Sequence, residues 1–180
     1  MNCRYCAVPM LGVVLLSLAA CGPSQRSAAG AATEPHGPSR IDVTFVDHAA
    51  TSGLTATRLA ELAQTKTKSP DVRAMAAGMI QIYDDVDRKL AALAQAKGID
   101  LNPAADPRYQ EQYHQLGSLN GADFERAFIN SQLQDQTIAI QAFQTEADSG
   151  TDPQLRELAT QTLPTLLQNL QVTRQLSVGR

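Results

Sequence analysis

The chain has 180 residues, of which 43% are hydrophobic and 18% are charged, and its formal net charge is -3. This composition is typical of one soluble globular domain with tails, and it lacks the dense basic charge of a nucleic-acid-binding protein. Aromatic residues make up only 4% and tryptophan is absent, so the core has to be built from small and aliphatic side chains, which favours close-packed helices. No glycine-rich phosphate loop and no Cys/His cluster follows residue 21, so the sequence predicts neither a nucleic-acid partner nor a cofactor.

The first 21 residues have the pattern of a bacterial lipoprotein export signal. Arg4 supplies a positive charge, and residues 7–20 are apolar and uncharged but shorter than the roughly 20 residues that span a bilayer. The apolar segment leads into LAAC, which resembles the bacterial lipobox, and this resemblance implies cleavage after Ala20 and a lipid on the thiol of Cys21. The alternative is an ordinary signal peptide followed by a chance cysteine.

Small residues, proline and glycine dominate residues 21–40, so this segment cannot bury enough apolar surface to order itself and is expected to be a flexible tether. Gly22 follows Cys21 in place of the Asp that retains lipoproteins in the inner membrane of enteric bacteria, which favours the outer membrane. Several acyl chains on Cys21 would hold the protein firmly to the lipid bilayer. The predicted organisation is a signal peptide (1–20), a lipidated tether (21–40) and a folded domain (41–180) facing the periplasm.

Residues 41–180 have the pattern of four long helices in two hairpins. Ser69 is a candidate N-cap, Pro70 suits the first helical position, and Gly98 is a natural helix stop. Pro164 lies inside the last helix and is expected to kink it or force a local adjustment. The long helices are expected at about 42–67, 69–98, 120–150 and 151–180, with a short helix at about 107–116.

The connections within the hairpins are short and the connection between them is long, which is the pattern of a ferritin-like four-helix bundle with one crossover. The second helices of the two hairpins open with similar sequences, SPDVRAMA and TDPQLRELA, which indicates two duplicated hairpins. Strand patterns are scarce. We therefore predict an all-α fold, a ferritin-like four-helix bundle whose long crossover carries a short helix and whose third long helix is capped by Asn120 or Asp123.

Residues spaced by three and four positions form one core-facing stripe on each long helix. Three stripes contain a neutral polar residue near mid-helix: Tyr83, Gln136 and Asn169. Either one or more of these side chains points sideways, or they are buried and need hydrogen-bond partners, which they could provide for one another. The stripe predicted for the third long helix consists of Ile129, Leu133, Gln136, Ile140, Phe143 and Ala147.

Several stretches of the chain resemble a bacterial domain family of unknown function, numbered four-one-four-two, whose members are often labelled outer membrane proteins. The stretches are FVDHAATSGLTATRLAELA, SPDVRAMAAGMI, LNGADFERAFINSQLQD and FQTEADSGTDPQLRELATQTLPTL with the following LQNL. The resemblance covers about residues 43–176. The family is similar to ferritin-like bundles, and its members commonly carry a Glu on the first helix and a His on each of the other three.

At the positions where family members carry this Glu and these His residues, which are possible metal ligands, this chain has Ala56, Tyr83, Gln136 and Asn169. Di-iron bundles need carboxylates and imidazoles that project inward. Alanine offers no lone pair, and amides and a neutral phenol are poor ligands for iron or zinc. The resemblance therefore implies a bundle that kept its shape while a polar core replaced the ligands, and we expect no metal there.

Other titratable residues have ordinary explanations. Asp47 and His48 are neighbours on a helix and point about 100° apart, so we expect His48 at the surface or its boundary. Asp84, Asp85 and Asp87 lie in mid-helix, not on the turning chain of a calcium loop, so we expect a solvated acidic face.

The leading functional interpretation is a non-enzymatic envelope lipoprotein that binds an envelope protein partner or a small ligand between its helices. The alternative is a ferritin-like metal-binding or redox protein, which inward-facing Glu and His side chains would favour. A third interpretation is a purely structural or stress-related spacer.

Overall fold

A computed structural model describes residues 37–101 and 107–179, and within these ranges the chain forms five helices and no strand. The helices are α1 (Arg40–Lys66), α2 (Pro70–Ala96), α3 (Pro107–Ser118), α4 (Gly121–Ser149) and α5 (Pro153–Val178). The predicted all-α fold is confirmed. The signal, Cys21 and the tether up to residue 36 lie outside the described residues. None of the described helices has an apolar stretch long enough to cross a membrane.

Local sequence fixes where the helices begin. The hydroxyl of Ser39 accepts the backbone N–H of Asp42, whose carboxylate accepts the N–H of Ser39 in return, so α1 starts in a capping box slightly before its predicted start. Ser69 caps α2 and Pro70 occupies its first position, as the sequence predicts. Asn120 holds the cap position of α4, although its side chain makes no capping hydrogen bond.

The last helix, α5, runs through Pro164 as one continuous element. A proline inside a helix removes the hydrogen bond to the carbonyl one turn earlier, here that of Thr160. Both residues are exposed, so water can replace the missing N–H. The start of α5 is firmly capped, because the Asp152 carboxylate accepts the N–H groups of Gln154 and Leu155.

The four long helices form a bundle in which each helix packs against two neighbours. α1 contacts α2 and α4, and α5 contacts the same two helices. All neighbouring pairs are antiparallel, because α1 begins beside the α4–α5 turn and ends beside the start of α4. α3 packs on α1 and α4, within the connection that crosses from one end of the bundle to the other. The predicted bundle of two hairpins with a crossover helix is confirmed.

All four phenylalanines are buried, and they lie toward the two ends of the bundle. Phe45 and Phe143 meet edge to face with ring centroids 5.0 Å apart, and Phe124 and Phe128 stack with centroids 5.9 Å apart. Between these pairs the core is filled by alanine, leucine and methionine side chains and by a set of polar residues. The middle of the bundle is therefore where the interior departs from an apolar core.

The stripe predicted for the third long helix is wrong by one position at three places. The buried residues there are Gln132, Ala139 and Glu146. The apolar residues predicted at those places are only half-buried: Leu133, Ile140 and Ala147. They flank the stripe because α4 packs against α1, α3 and α5, so its buried face is wider than a single seam. The shift brings two additional polar side chains, Gln132 and Glu146, into the interior.

Each hairpin turn is held by a buried carboxylate from the first helix of the other hairpin. Asp42 of α1 accepts the backbone N–H groups of Thr151 and Asp152 in the α4–α5 turn, at 2.9 and 3.1 Å. It also accepts the hydroxyl of Thr151 at 2.6 Å. The second turn thus depends on the first helix for its hydrogen bonds.

Glu125 of α4 has the same role in the α1–α2 turn. It accepts the backbone N–H groups of Lys68 and Ser69 at 3.2 and 3.1 Å, together with the hydroxyl of Thr67. Both turns therefore use one carboxylate, two N–H groups and one threonine hydroxyl. We name these contacts the reciprocal caps. Their likeness agrees with the duplicated hairpins that the sequence indicates.

Candidate functional site

The four positions singled out by the family resemblance all lie in the interior. Tyr83, Gln136 and Asn169 are 3%, 2% and 8% exposed, and Ala56 is 5% exposed. None of the three polar side chains points sideways into solvent. Each therefore needs a partner inside the bundle.

The three polar side chains form no hydrogen bonds with one another, so the mutual pairing that the sequence left open is not found. The Gln136 amide pairs instead with Thr173, whose Oγ1 lies 3.1 Å from Gln136 Nε2 and 3.2 Å from Gln136 Oε1. Thr173 Oγ1 is also 3.0 Å from the backbone oxygen of Asn169. The Nδ2 of Asn169 has no hydrogen-bond partner among the described residues. Thr173 is thus the residue that links α4 to α5 at this level.

Two methionine sulfurs face the same Gln136–Thr173 pair. Met75 Sδ lies 3.4 Å from Thr173 Oγ1, and Met79 Sδ lies 3.9 Å from Gln136 Nε2. We name these four residues the thioether–amide cluster. Gln132, one turn before Gln136, is fully buried, and neither of its amide atoms has a partner in the described part of the chain. Gln132 was not predicted to be buried, although its spacing of four residues from Gln136 places both on one helix face.

Tyr83 lies one turn beyond Met79 on α2, in an acidic environment. Burial, and then the negative charges of Asp135 and Asp87, raise the pKa of Tyr83 above its ordinary value. Asp135 of α4 accepts a hydrogen bond from Gln112 Nε2 of α3 at 2.7 Å, and burial raises the pKa of Asp135 despite this bond. Tyr83 is therefore a neutral phenol, and the phenolate that would bind a metal is disfavoured.

Asp87 departs from the solvated acidic face predicted for it. Asp84 is exposed and Asp85 pairs with Lys89 at 2.7 Å, whereas Asp87 is half-buried against Gly53 of α1. Burial, with a further effect of the Asp84 charge, raises the pKa of Asp87 to about 6. The approach is possible only at a glycine, because a Cβ on residue 53 would overlap the carboxylate.

Ala56 lines a small cavity of about 20 Å³ between α1 and α4. Tyr109 of α3 and Asp135 of α4 also line it. This volume suits about one water molecule. The space beside Ala56 is therefore too small for a ligand.

A further buried acid, Glu146, lies at the end of the bundle where α1 begins. It is fully buried, and its carboxyl group faces the carboxylate of Asp42. Burial, and next the proximity of Asp42, raise the pKa of Glu146 to about 8. The pKa of Asp42 itself is lowered, because hydrogen bonds from Thr151, Ser39 and Asp152 outweigh the effect of burial. At neutral pH Asp42 is ionised and Glu146 is mostly protonated.

Glu146 also lines an open groove between α1 and α4. The groove has a volume of about 510 Å³, which is within the range of small-molecule sites. Its other lining residues are Arg40, Ile41, Thr44, Phe45, His48, Ile138, Gln141, Ala142 and Thr145. Arg40 makes no ion pair with the described residues, and His48 is exposed, as predicted. We name this feature the α1–α4 groove.

Residues 37–101 and 107–179 contain no group of three His, Cys, Asp or Glu side chains that could hold a metal ion. The family model of a domain of unknown function, DUF4142, matches residues 26–176. The chain belongs to this family. The DUF4142 match begins earlier than the resemblance noted in the sequence, inside the predicted tether. No curated protein matches the chain in sequence.

Solved structures with a similar fold include a DUF305 fragment from Deinococcus radiodurans and two forms of CopM. The DUF305 fragment is 17% identical, with a TM-score of 0.72, and the match covers 81% of this chain and 100% of that one. CopM in the Cu(II)-bound form is 15% identical, with a TM-score of 0.66 and coverage of 77% and 96%. The Cu(I)-bound form is also 15% identical, with a TM-score of 0.63 and coverage of 74% and 93%. At these identities the likeness concerns the fold alone, and the copper is a property of CopM.

Proposed function

We propose that this DUF4142 protein is a non-enzymatic binding module of the bacterial cell envelope. A lipid on Cys21 anchors it to the outer membrane, and the bundle faces the periplasm. The sequence LAAC at residues 18–21 and the composition of residues 21–40 support the anchor and the tether. The observation that carries the binding role is the α1–α4 groove.

The chemistry of the groove favours a small amphipathic anion. Ile41, Phe45 and Ile138 provide apolar walls, while Arg40 provides a cation. Glu146 does not oppose an anion at neutral pH, because its raised pKa keeps it mostly protonated. A ligand with an apolar chain over the walls and a carboxylate at Arg40 matches this distribution.

The state of the neighbouring acids supports binding in preference to catalysis. Asp42 is engaged in the reciprocal cap of the α4–α5 turn, so its lone pairs are committed to backbone N–H groups. Glu146 borders the groove but is itself fully buried. A general base needs to reach the proton it removes, and neither acid is presented in that way.

Nuclear magnetic resonance titration of residues 35–180, which contain every buried residue described, tests the proposal. Laurate is expected to shift the signals of groove residues, whereas dodecyltrimethylammonium, with the same chain and opposite charge, is expected to shift them at least ten times less. Ile138→Asp should abolish the laurate response. The matched control Leu167→Asp, at a comparably exposed residue of α5 (51% against 55%), should retain it. Equal responses to the two amphiphiles, or equal losses in the two variants, would contradict the proposal.

A further inference from the structure

Beyond residue 21 the chain has only two methionines, and both take part in the thioether–amide cluster. Met75 and Met79 are four residues apart on α2, so they lie on one face of the helix. Their sulfurs approach polar atoms of two different helices, Thr173 Oγ1 of α5 at 3.4 Å and Gln136 Nε2 of α4 at 3.9 Å. Both methionines are buried at 4% and 0% exposure. The two thioethers therefore converge on the polar centre of the bundle, where simple core packing would place apolar neighbours.

The cluster has more hydrogen-bond acceptors than its central hydroxyl can serve. Thr173 has one hydroxyl proton. Three acceptors surround that hydroxyl: Met75 Sδ at 3.4 Å, Gln136 Oε1 at 3.2 Å and the backbone oxygen of Asn169 at 3.0 Å. Only one of them can receive the proton at a time. Lone pairs on sulfur and on the amide oxygen are thus left for another species.

Unsatisfied amide atoms lie on the two helices that face the methionines. Gln132, one turn from Gln136, is fully buried with neither Nε2 nor Oε1 paired among the described residues, and Asn169 Nδ2 is likewise unpaired there. Buried polar groups normally have partners. Among these atoms, Gln132 Oε1 is an acceptor with free lone pairs, one turn along α4 from Gln136.

We propose that the thioether–amide cluster binds one soft monovalent metal ion, Cu(I) in the cell, through the sulfurs of Met75 and Met79. Thioethers select Cu(I), whereas carboxylates and imidazoles suit harder or borderline ions. The site thus differs in ligand chemistry from the Glu/His set that the family resemblance implies. The inference is independent of the α1–α4 groove.

Silver(I) titration of the full chain tests this site, because Ag(I) is a redox-stable probe of soft-metal sites. The parent protein carries Cys3→Ser, Cys6→Ser and Cys21→Ser, so that no thiol competes, and its methionine methyl groups are labelled with carbon-13. One equivalent of Ag(I) is expected to bind. The methyl signals of Met75 and Met79 should both shift, and the melting temperature should rise with silver concentration.

A variant with Met75→Leu and Met79→Leu keeps the side-chain volume and removes the sulfurs. It should bind less than a tenth of the silver taken up by the parent. Ile140→Leu on α4, a change of shape without loss of sulfur, should leave binding unchanged. The proposal would be overturned if the parent bound no silver or if the double variant still bound it. It would also be overturned if silver shifted only the methyl signals of Met1 and Met10. If the double variant does not fold, the methyl shifts of Met75 and Met79 in the parent protein still test the proposal.

Discussion

At the scale of single residues, the ionisation of Glu146 has the clearest energetic consequence. Its pKa rises from an ordinary 4.5 to about 8 in the fold. Between these values the folded protein keeps a proton that the unfolded chain releases. The free energy of unfolding therefore falls as pH rises from 4.5 to 8, by up to about 1.4 kcal/mol per pH unit. Below pH 4.5 Glu146 is protonated in both the folded and the unfolded protein, so the unfolding free energy no longer depends on its titration.

Replacement of Glu146 by Gln should remove this dependence. We expect E146Q to exceed the wild type in unfolding free energy by about 1–4 kcal/mol at pH 8, and the difference to disappear near pH 4. Urea denaturation at a series of pH values measures it. Glu157→Gln, at an exposed glutamate of α5, is the control and should follow the wild type. A constant difference between E146Q and the wild type at all pH values would show that Glu146 does not titrate in this range.

Two glycines on neighbouring helices should respond in opposite directions to the same substitution. At Gly53 a new Cβ would overlap the Asp87 carboxylate, whereas at Gly78 nothing lies within 4 Å. We expect Gly53→Ala to destabilise the protein by about 1–3 kcal/mol, because a half-buried acid has to move. Gly78→Ala should stabilise it by about 0.5–1 kcal/mol through helix propensity. Thermal unfolding measures both, and destabilisation by Gly78→Ala would contradict the packing described for α2.

At the scale of elements, the reciprocal caps join the two hairpins at opposite ends of the bundle. We expect Asp42→Ala and Glu125→Ala each to lower the unfolding free energy by about 2–4 kcal/mol, because each leaves two turn N–H groups and a threonine hydroxyl without their charged partner. Denaturation in the E146Q background, which has no titration at residue 146, measures these changes separately from it.

The control for the caps is Asp123→Ala, which breaks an exposed pair with Arg126 and should cost less than about 1 kcal/mol. The double variant of Asp42 and Glu125 should be additive within about 0.5 kcal/mol, because the two sites lie at opposite ends of α1. If Asp42→Ala or Glu125→Ala lowered the unfolding free energy as little as the control does, water would replace the carboxylate as the partner of the turn N–H groups.

The elements themselves could be predicted from the sequence because their signals are local. Ser69, Pro70 and the glycines at the helix ends act within one turn, and the lengths of the connections decide the order of packing. The interior of α4 could not be predicted in the same way. Which of Gln132 or Leu133 is buried depends on how α1, α3 and α5 surround the helix, and a seam counted along one helix does not contain that information.

The candidate site depended even more on contacts between distant segments. The sequence pattern put Tyr83, Gln136 and Asn169 on core-facing stripes but left open whether they are buried, and it did not predict the partner of Gln136. Thr173 pairs with Gln136 across α4 and α5. Asp87 is half-buried because Gly53 of α1 lies opposite. Pairings of this kind require the packed structure.

At the scale of the whole molecule, the arrangement of signal, tether and bundle makes a prediction about location. We expect the wild-type protein to be recovered with the outer-membrane fraction of the bacterial cell, with a mass increase that corresponds to lipid on Cys21. Cys21→Ser should lose that mass increase and be recovered outside the outer membrane. Membrane fractionation and mass spectrometry of the N-terminal peptide measure the two effects. An unlipidated wild-type protein would contradict the anchor but leave the groove and the metal site untouched.

The reciprocal caps also determine which backbone amides exchange with deuterium most slowly. In most helical bundles the turns open locally at little cost in free energy, so their amide hydrogens exchange faster than those of the core. Here the amides of Lys68, Ser69, Thr151 and Asp152 donate to carboxylates of the opposite hairpin, and they become free only when the hairpins part. These four turn amides should therefore exchange as slowly as the amides of the core. Deuterium uptake by a peptide that contains either turn then measures the global opening of the bundle.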